Sequence, residues 1–173
     1  MRSYRIEAFG DLLLARLPAG SRVLEIGCGA GELATMLAQR GLNVEAIDRA
    51  PRDEFPATAA SLEDYQTGKT FDCVIAMLVL HHVDDLGGAL AKMARLLRPG
   101  GFAAIDDYGW ERRDALTPQA REWRDERRDL HTSATMLESL DRVFARVYYA
   151  DHPYFDEGRG SDRLGFTYFG TPR

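Results

Sequence analysis

The feature that most constrains this chain is VLEIGCGAG at residues 23–31, an apolar run that ends in three glycines at alternate positions. Gly27, Gly29 and Gly31 lead directly into ELATMLAQR, a run of good helix formers closed by Gly41. A strand that enters a helix through such a turn leaves backbone N–H groups uncovered at the positive end of the helix, and the missing Cβ atoms let a ligand touch them. Glu25 stands just before the glycines, and Asp48 follows the apolar run NVEAI at 43–47, so two carboxylates flank the turn. An acid at the tip of the second strand can accept hydrogen bonds from both ribose hydroxyls of an adenosine-type ligand. Spacing separates the possible ligands. A dinucleotide loop reads G-x-G-x-x-G, and counted from Gly27 its third glycine would fall at Glu32, whereas this chain has Gly31. Glu25 would repel a pyrophosphate and attract a cation. A nicotinamide-dependent oxidoreductase is disfavoured on both grounds, and no catalytic dyad for hydride transfer is recognisable.

The rest of the pattern is that of an α/β fold. Residues 22–26 (RVLEI), 43–47 (NVEAI), 71–77 (FDCVIAM) and 101–106 (GFAAID) read as strands, near-continuously apolar as strands buried on both faces are. A weak strand is expected near 58–62. A helix beginning near Asp84 buries Leu86, Leu90, Met93 and Leu97 and stops at Pro99-Gly100-Gly101. This alternation over residues 21–107 predicts a parallel sheet wrapped by helices. Residues 110–129 hold six arginines and six acids with few apolar anchors, which predicts a solvated helical insertion whose neighbours include Arg121 with Asp125 and Asp125 with Arg128. Ser133 is expected to cap a helix containing Met136, Leu137 and Leu140. Residues 145–151 (ARVYYAD) and 164–169 (LGFTYF) then form an antiparallel pair, because the link at 156–162 (DEGRGSD) is too short for a helical crossover.

At 173 residues, 45% hydrophobic, the chain has the size and apolar content of one domain around one core. Its net charge of −5 provides no general attraction to polyanions, which argues against nucleic acid as the main partner. Residues 1–9 contain no apolar run, and nowhere does such a run reach the ~20 residues of a membrane span, so the expectation is a soluble cytoplasmic protein. Cys28 and Cys73 belong to no C-x-x-C pair and read as reduced and structural. The histidines and acids show no metal-ligand spacing beyond the adjacent His81-His82 pair, so no metal is expected.

Taken together, VLEIGCGAG, the acid of VEAID, FDCVIAMLVLHHVDD and LLRPGGFAAI make the chain resemble the class I S-adenosylmethionine-dependent methyltransferases, in particular their type 11 and type 12 domains. The resemblance covers most of residues 21–107. It implies a three-layer Rossmann-like sandwich with a seven-stranded, mostly parallel sheet of order 3-2-1-4-5-7-6 and the last strand antiparallel. It also implies S-adenosylmethionine as cofactor and S-adenosylhomocysteine as product. The positions that match the family's motifs are Glu25, Gly27, Cys28, Gly29, Gly31, Asp48 and Arg49 around the glycine turn and ribose, Ser61, Leu62 and Glu63 around the adenine, and Met77, Leu78 and Val79 closing the pocket. The expected organisation is one methyltransferase domain over 1–173: an N-terminal helix and partial lid (1–20), the cofactor core (21–107), the charged insertion (108–132) and a C-terminal helix with two antiparallel strands (133–173). Only residues 1–17 and a short turn precede the first strand, so the lid over the acceptor is expected to be small, completed by the charged insertion or a partner chain.

Methyl transfer from a sulfonium is an in-line displacement, so most of the catalytic work lies in holding donor and nucleophile collinear at about 3 to 3.5 Å. A base is needed only when the acceptor carries a proton at neutral pH. His81, His82 and Asp106 lie at strand ends where a base could act, and Tyr4, His81, Asp107, Tyr108 and Trp110 are the candidate acceptor contacts, with His131, Tyr149, His152 and Tyr154 on the rim. Against these roles, the histidine pair can pack within its loop, Asp107 can cap the next segment, and the late aromatics can be core. The expected activity is methylation of an O, N or C nucleophile of a small organic molecule by a monomer or homodimer. Its rivals are a protein or peptide methyltransferase and a catalytically inactive cofactor-binding partner protein.

Overall fold

The structure, a computed structural model, describes residues 2–52, 55–153 and 164–173. Tyr154 and the link at 156–162 lie outside the described residues. The chain opens with α1 (Arg2–Leu14), then alternates β1 (Arg22–Ile26), α2 (Glu32–Gln39), β2 (Asn43–Asp48) and the two-residue β3 (Thr58–Ala59). It continues through β4 (Phe71–Met77), α3 (Leu86–Leu96), β5 (Leu97–Tyr108), α4 (Pro118–Asp125), α5 (Ser133–Val143), β6 (Phe144–His152) and β7 (Gly165–Pro172). These seven strands form one sheet in the order β3-β2-β1-β4-β5-β7-β6. Strands β1 to β5 pair in parallel, and β7 lies antiparallel to both β5 and β6. The three-layer α/β architecture and the strand order are those the resemblance implied.

Each sheet face has its own core. On one side Leu24, Val74, Ala103 and Phe166 pack with Leu90 and Met93 of α3 and Met136 and Leu140 of α5. On the other Val23, Cys73, Ile75 and Phe169 pack with Phe9 and Leu13 of α1 and Leu33 and Leu37 of α2. The alternation of facing residues along β1 (Val23 to one side, Leu24 to the other) is the strand period of two at work. Helix α2 ends where Gly41 takes φ +89°, with the Gly41 N–H on the Ala38 carbonyl and the Leu42 N–H on the Leu37 carbonyl. That pair of bonds is a Schellman stop, and it turns the chain straight into β2.

Several boundaries differ from the sequence reading, each for a local reason. Helix α3 gives up Leu97 to β5, because Leu97 pairs with Phe71 beyond a register shift in the β4–β5 ladder. Pro99 and Gly100 therefore sit inside an irregular strand entry rather than in a separate turn. The N-cap of α5 is Thr132, whose Oγ1 accepts the Thr135 N–H at 3.1 Å. Ser133 instead donates its backbone N–H to Glu111 Oε1 at 2.9 Å. In the charged segment, Asp125 pairs with Arg128 at 2.7 Å, but Arg121 reaches the Ala115 carbonyl rather than Asp125. The segment is more than a solvated face: Trp123 lies between the Arg113 and Arg127 guanidiniums, 4.6 and 4.0 Å from its ring centre, and 6.2 Å from the Tyr108 ring. Among the described residues no helix is long and apolar enough to cross a membrane.

Because an L side chain at φ +89° is strained, Gly41→Ala is expected to lose about 1 to 2 kcal/mol of stability, read from the urea midpoint at unchanged m-value. An unaltered midpoint would show that the helix stop does not depend on glycine.

Candidate active site

The site grows from the glycine turn. The N–H groups of Gly27 and Cys28 both bond to the Ile47 carbonyl, at 2.8 and 3.2 Å, and the Gly29 N–H bonds to Asp48 Oδ2 at 2.8 Å. Asp48 Oδ1 accepts the Ala50 N–H at 2.8 Å. Each carboxylate oxygen thus has one backbone partner and a remaining lone pair. Glycine is required at two points of the turn for different reasons. At Gly27 (φ +69°) a Cβ would lie 2.4 Å from Val79 Cγ2, whereas at Gly29 (φ +56°) it would enter open space. Gly27 lets the exit of β4 pack directly on the turn, and Gly29 leaves a bare backbone edge for a ligand.

Beside the turn is a cavity of about 220 Å³ at the carboxyl ends of β1, β2 and β4. Gly27, Asp48, Arg49, Ser61, Leu62, Glu63, Leu78 and Val79 line it, together with Ile26, Ile47, His82 and Met93. Eight of the proposed cofactor contacts therefore share one wall. Leu62 is buried and Glu63 exposed, and Glu63 uses its carbonyl to accept Lys92 Nζ at 2.9 Å. Leu78 holds φ +58°, an uncommon value for a branched residue, and its N–H is bonded to the Asp106 carbonyl at 2.8 Å.

Glu25, Cys28, Gly29, Gly31 and Met77 do not line that cavity. Glu25 is 3% exposed beneath the turn, and its Oε2 has no hydrogen-bond partner among the described residues. Burial raises its carboxyl to about 8, with Asp48 adding repulsion and a backbone hydrogen bond from Ala34 acting in the opposite direction. Burial and the same two acids push the Cys28 thiol up to about 11, so it is protonated and unreactive at neutral pH. Glu25 beneath the turn and half-buried Asp48 beside it thus put two carboxyl groups next to each other, with Arg49 on the cavity wall.

At the exits of β4 and β5 the structure separates residues that look equivalent in sequence. Asp107 is fully buried: Oδ2 accepts the Leu80 N–H at 3.0 Å, and Oδ1 accepts the Tyr108 N–H at 2.8 Å and meets His81 Nδ1 at 2.6 Å. His81 is 4% exposed, its ring 4.7 Å from that of Tyr108, and its carbonyl accepts the His131 N–H. His81, Asp107, Tyr108 and His131 thus form a packed bracket around the loop after β4, and none of them lines the 220 Å³ cavity. His82 is exposed and faces the 220 Å³ cavity. Partial burial lowers its pKa, with the charges of His81, Arg49 and Arg127 acting in the same direction and Asp107 opposing, so it is neutral at pH 7. Trp110 donates its indole N–H to the Leu130 carbonyl, and the Tyr149 hydroxyl pairs with Arg112 and Asp151.

Asp106 faces the opposite side of the sheet. It is 2% exposed, ion-paired with Arg5 of α1, and accepts the Thr167 hydroxyl at 2.7 Å, with His152 Nε2 at 3.1 Å. These groups and Tyr4 line a second cavity of about 250 Å³ between α1 and the β5–β7–β6 edge. Arg5 and Thr167 were not singled out in the sequence. A polar residue within the apolar run LGFTYF was the one available sign of Thr167, and nothing local marks Arg5. Among the described residues no group of three or more His, Cys, Asp or Glu side chains gathers as a metal site.

A family described as "Methyltransferase domain" matches residues 1–150. A ubiquinone biosynthesis O-methyltransferase of Methylocella silvestris is 40% identical over 120 residues, covering 60% of this chain and 47% of that protein. One of Xanthomonas oryzae pv. oryzae is 42% identical over 108 residues, covering 53% and 45%. The chain therefore spans about half the length of the curated relatives it matches. Among solved structures, the N-methyltransferase NodS from Bradyrhizobium japonicum with S-adenosyl-l-homocysteine superposes with TM-score 0.74 at 20% identity, covering 98% of this chain and 86% of that one. The Burkholderia thailandensis 1,6-didemethyltoxoflavin-N1-methyltransferase gives TM-score 0.74 at 20% identity, with coverage of 96% and 77%. At that identity the two structures speak for the fold, while the family match, which takes in most of the chain, establishes that this protein belongs to the methyltransferase domain family.

Proposed function

We propose that this chain is an S-adenosylmethionine-dependent methyltransferase that transfers a methyl group to an O, N or C nucleophile of a small organic molecule. The observation that carries the reading is the buried Glu25 carboxyl, one oxygen unpartnered, next to Asp48 under a turn of bare backbone. A buried acid without a partner is costly, and a cationic ligand offsets that cost. The residues present fit that cofactor. Asp48 has lone pairs for the two ribose hydroxyls, Leu62 and Val79 provide apolar walls for the adenine, and Ser61 and Glu63 provide polar groups at its edge. Gly29, where a Cβ would meet open space, leaves bare backbone for the methionine end, and Leu78 closes the pocket toward β5. The bound cofactor would supply a methyl group on a sulfonium, and the protein supplies placement and charge. We further read residues 1–173 as one domain, with 108–132 as its charged insertion, acting in the cytoplasm on a dissolved metabolite as a monomer or homodimer.

Two measurements check this. In calorimetry with S-adenosylmethionine, S-adenosylhomocysteine and NAD side by side, the first two bind, and Asp48→Ala weakens them by about 1.5 to 3 kcal/mol, the worth of charge-assisted hydrogen bonds. Tight binding of NAD alone would overturn the assignment. The second concerns protons. With its folded pKa raised to about 8 from 4.5, Glu25 stabilises the ligand-free chain below pH 4.5, and that contribution is lost as pH rises to about 8. At pH 7 it is mostly protonated and must ionise to meet a cation. Binding of S-adenosylmethionine should therefore release a proton, seen as a dependence of binding heat on buffer ionisation enthalpy, and Glu25→Gln should abolish it. Equal heats in all buffers for the unsubstituted chain would remove Glu25 from the cation site.

A further inference from the structure

Resting on the methyl-transfer reading, we propose that the charged insertion takes part in cofactor binding: Trp123 is a positioning residue that, through Tyr108 and His81, holds the His82 imidazole at the nucleoside end of the cofactor cavity. The place of His82 comes first. It lines the 220 Å³ cavity with Asp48, Ser61, Leu62 and Glu63, the side given to ribose and adenine, whereas Glu25 and Gly29, on the side given to the methionine end, do not line it. The turn that carries it, Leu80–His82, is fixed from outside. Asp107 accepts the Leu80 N–H at 3.0 Å and holds His81 Nδ1 at 2.6 Å, and the His131 N–H reaches the His81 carbonyl at 3.0 Å. His131 Nε2 meets the Val83 carbonyl at 2.7 Å, and the His82 N–H bonds to the Val79 carbonyl at 3.0 Å. Among the described residues no group hydrogen-bonds the His82 ring nitrogens, so a donor and an acceptor are free at the cavity wall.

A line of rings leads from that imidazole to the insertion. Between ring centres His82 lies 4.1 Å from His81, His81 lies 4.7 Å from Tyr108 in an edge-on arrangement, and Tyr108 lies 6.2 Å from Trp123. Such spacings are those of interacting aromatic groups. Trp123 is held by its own segment: the Arg113 and Arg127 guanidiniums stand 4.6 and 4.0 Å from its ring centre, and Arg127 Nη1 donates to the Trp123 carbonyl at 2.9 Å. Asp107 fixes one edge of His81, and buried Tyr108 fills the space between His81 and Trp123. The stack therefore sets the tilt of His81 about the Asp107 bond, and with it the surface on which His82 rests. In a close-packed interior, removing the indole lets Tyr108 and His81 shift into its place. Charge acts in the same sense. The titratable and charged groups around His82 are His81 in its own turn, Asp107 of β5, Arg49 after β2 and Arg127 after α4, with Asp48 and Glu63 lining the same cavity. Burial first, and then His81, Arg49 and Arg127, favour the neutral imidazole against Asp107, and Trp123 keeps Arg127 in place by stacking on it. A neutral imidazole both donates and accepts, which suits a nucleoside, and it adds no positive charge near a sulfonium.

Titration of the full chain with S-adenosylhomocysteine, followed by nitrogen NMR of labelled histidine and by tryptophan emission, tests this. The ligand is expected to shift the His82 ring signals and to change the emission, and the emission change should be lost in Trp123→Phe, which retains Trp110. Trp123→Ala should weaken S-adenosylhomocysteine about two- to tenfold, the worth of a lost ring contact, and raise the pH at which His82 titrates, while Trp123→Phe should restore most of the affinity. Because the effect runs through His82, Trp123→Ala should cost nothing further in a His82→Ala chain. Glu122→Gln, exposed on the same helix, should leave binding unchanged. Equal losses from Trp123→Ala in the two backgrounds, a like loss in Glu122→Gln, unmoved His82 signals, or an undiminished emission change in Trp123→Phe would each overturn the positioning role and leave the cofactor reading standing. The emission and NMR tests stand even where Trp123→Ala does not fold. Absence of S-adenosylhomocysteine binding by the unsubstituted chain would instead overturn the cofactor reading.

Discussion

Everything at the cofactor end depends on the glycine turn being tied to the tip of the neighbouring strand. Strands β1 and β2 run in parallel with Ile26 opposite Ile47. Three successive N–H groups of the turn then close onto the Ile47 carbonyl and the Asp48 carboxylate. This satisfies donors that would otherwise be orphaned at a strand end, and it fixes the Asp48 carboxylate at the strand tip. Val79 packs where a Gly27 Cβ would be, so the exit of β4 is locked to the same turn. The consequence is a cavity floor held from two neighbouring strands. Its cost is a carboxyl at Glu25 held out of water without a full set of partners.

The carboxyl end of β5 shows how one strand can divide two chemically identical side chains between different tasks. Asp106 and Asp107 are adjacent, so the strand period of two sends them to opposite faces. Asp107 is hydrogen-bonded to Leu80 and His81 of the loop after β4 and to the N–H of Tyr108 at the end of β5, which makes it a bracket for His81. Asp106 meets α1 and the antiparallel strands, where Arg5, His152 and Thr167 gather around it. The same scaffold carries enzymes described as N-methyltransferases and, among closer relatives, O-methyltransferases. The fold by itself does not choose the acceptor.

The sequence reading and the structure part company in instructive places. Strands β1 and β4 match the predicted limits, because long apolar runs bounded by clear breakers leave little freedom. Leu97 was read as helical because it continues the i, i+4, i+7 spacing, but cross-strand pairing with Phe71 outweighs that periodicity. The choice between Thr132 and Ser133 as cap turned on Glu111, which claims the serine from 22 residues away. Residues 110–129 read as a charged face with few apolar anchors, and only the fold brings Arg113, Arg127 and Tyr108 around Trp123.

Local chemistry alone determined the α/β alternation, the glycine turn, its two flanking acids and the kind of ligand they suit, since all of these are set by residues adjacent in sequence or on neighbouring parallel strands. Which histidine stands free, which aspartate is committed to structure, and which cavity has a polar end were decided only by tertiary packing. Arg5, Asp106 and His152 come from the first helix, the fifth strand and the sixth, and no spacing rule relates them. Their charges and hydrogen bonds acquire meaning when the sheet closes and removes them together from water, because only there does a missing or present partner outweigh solvation.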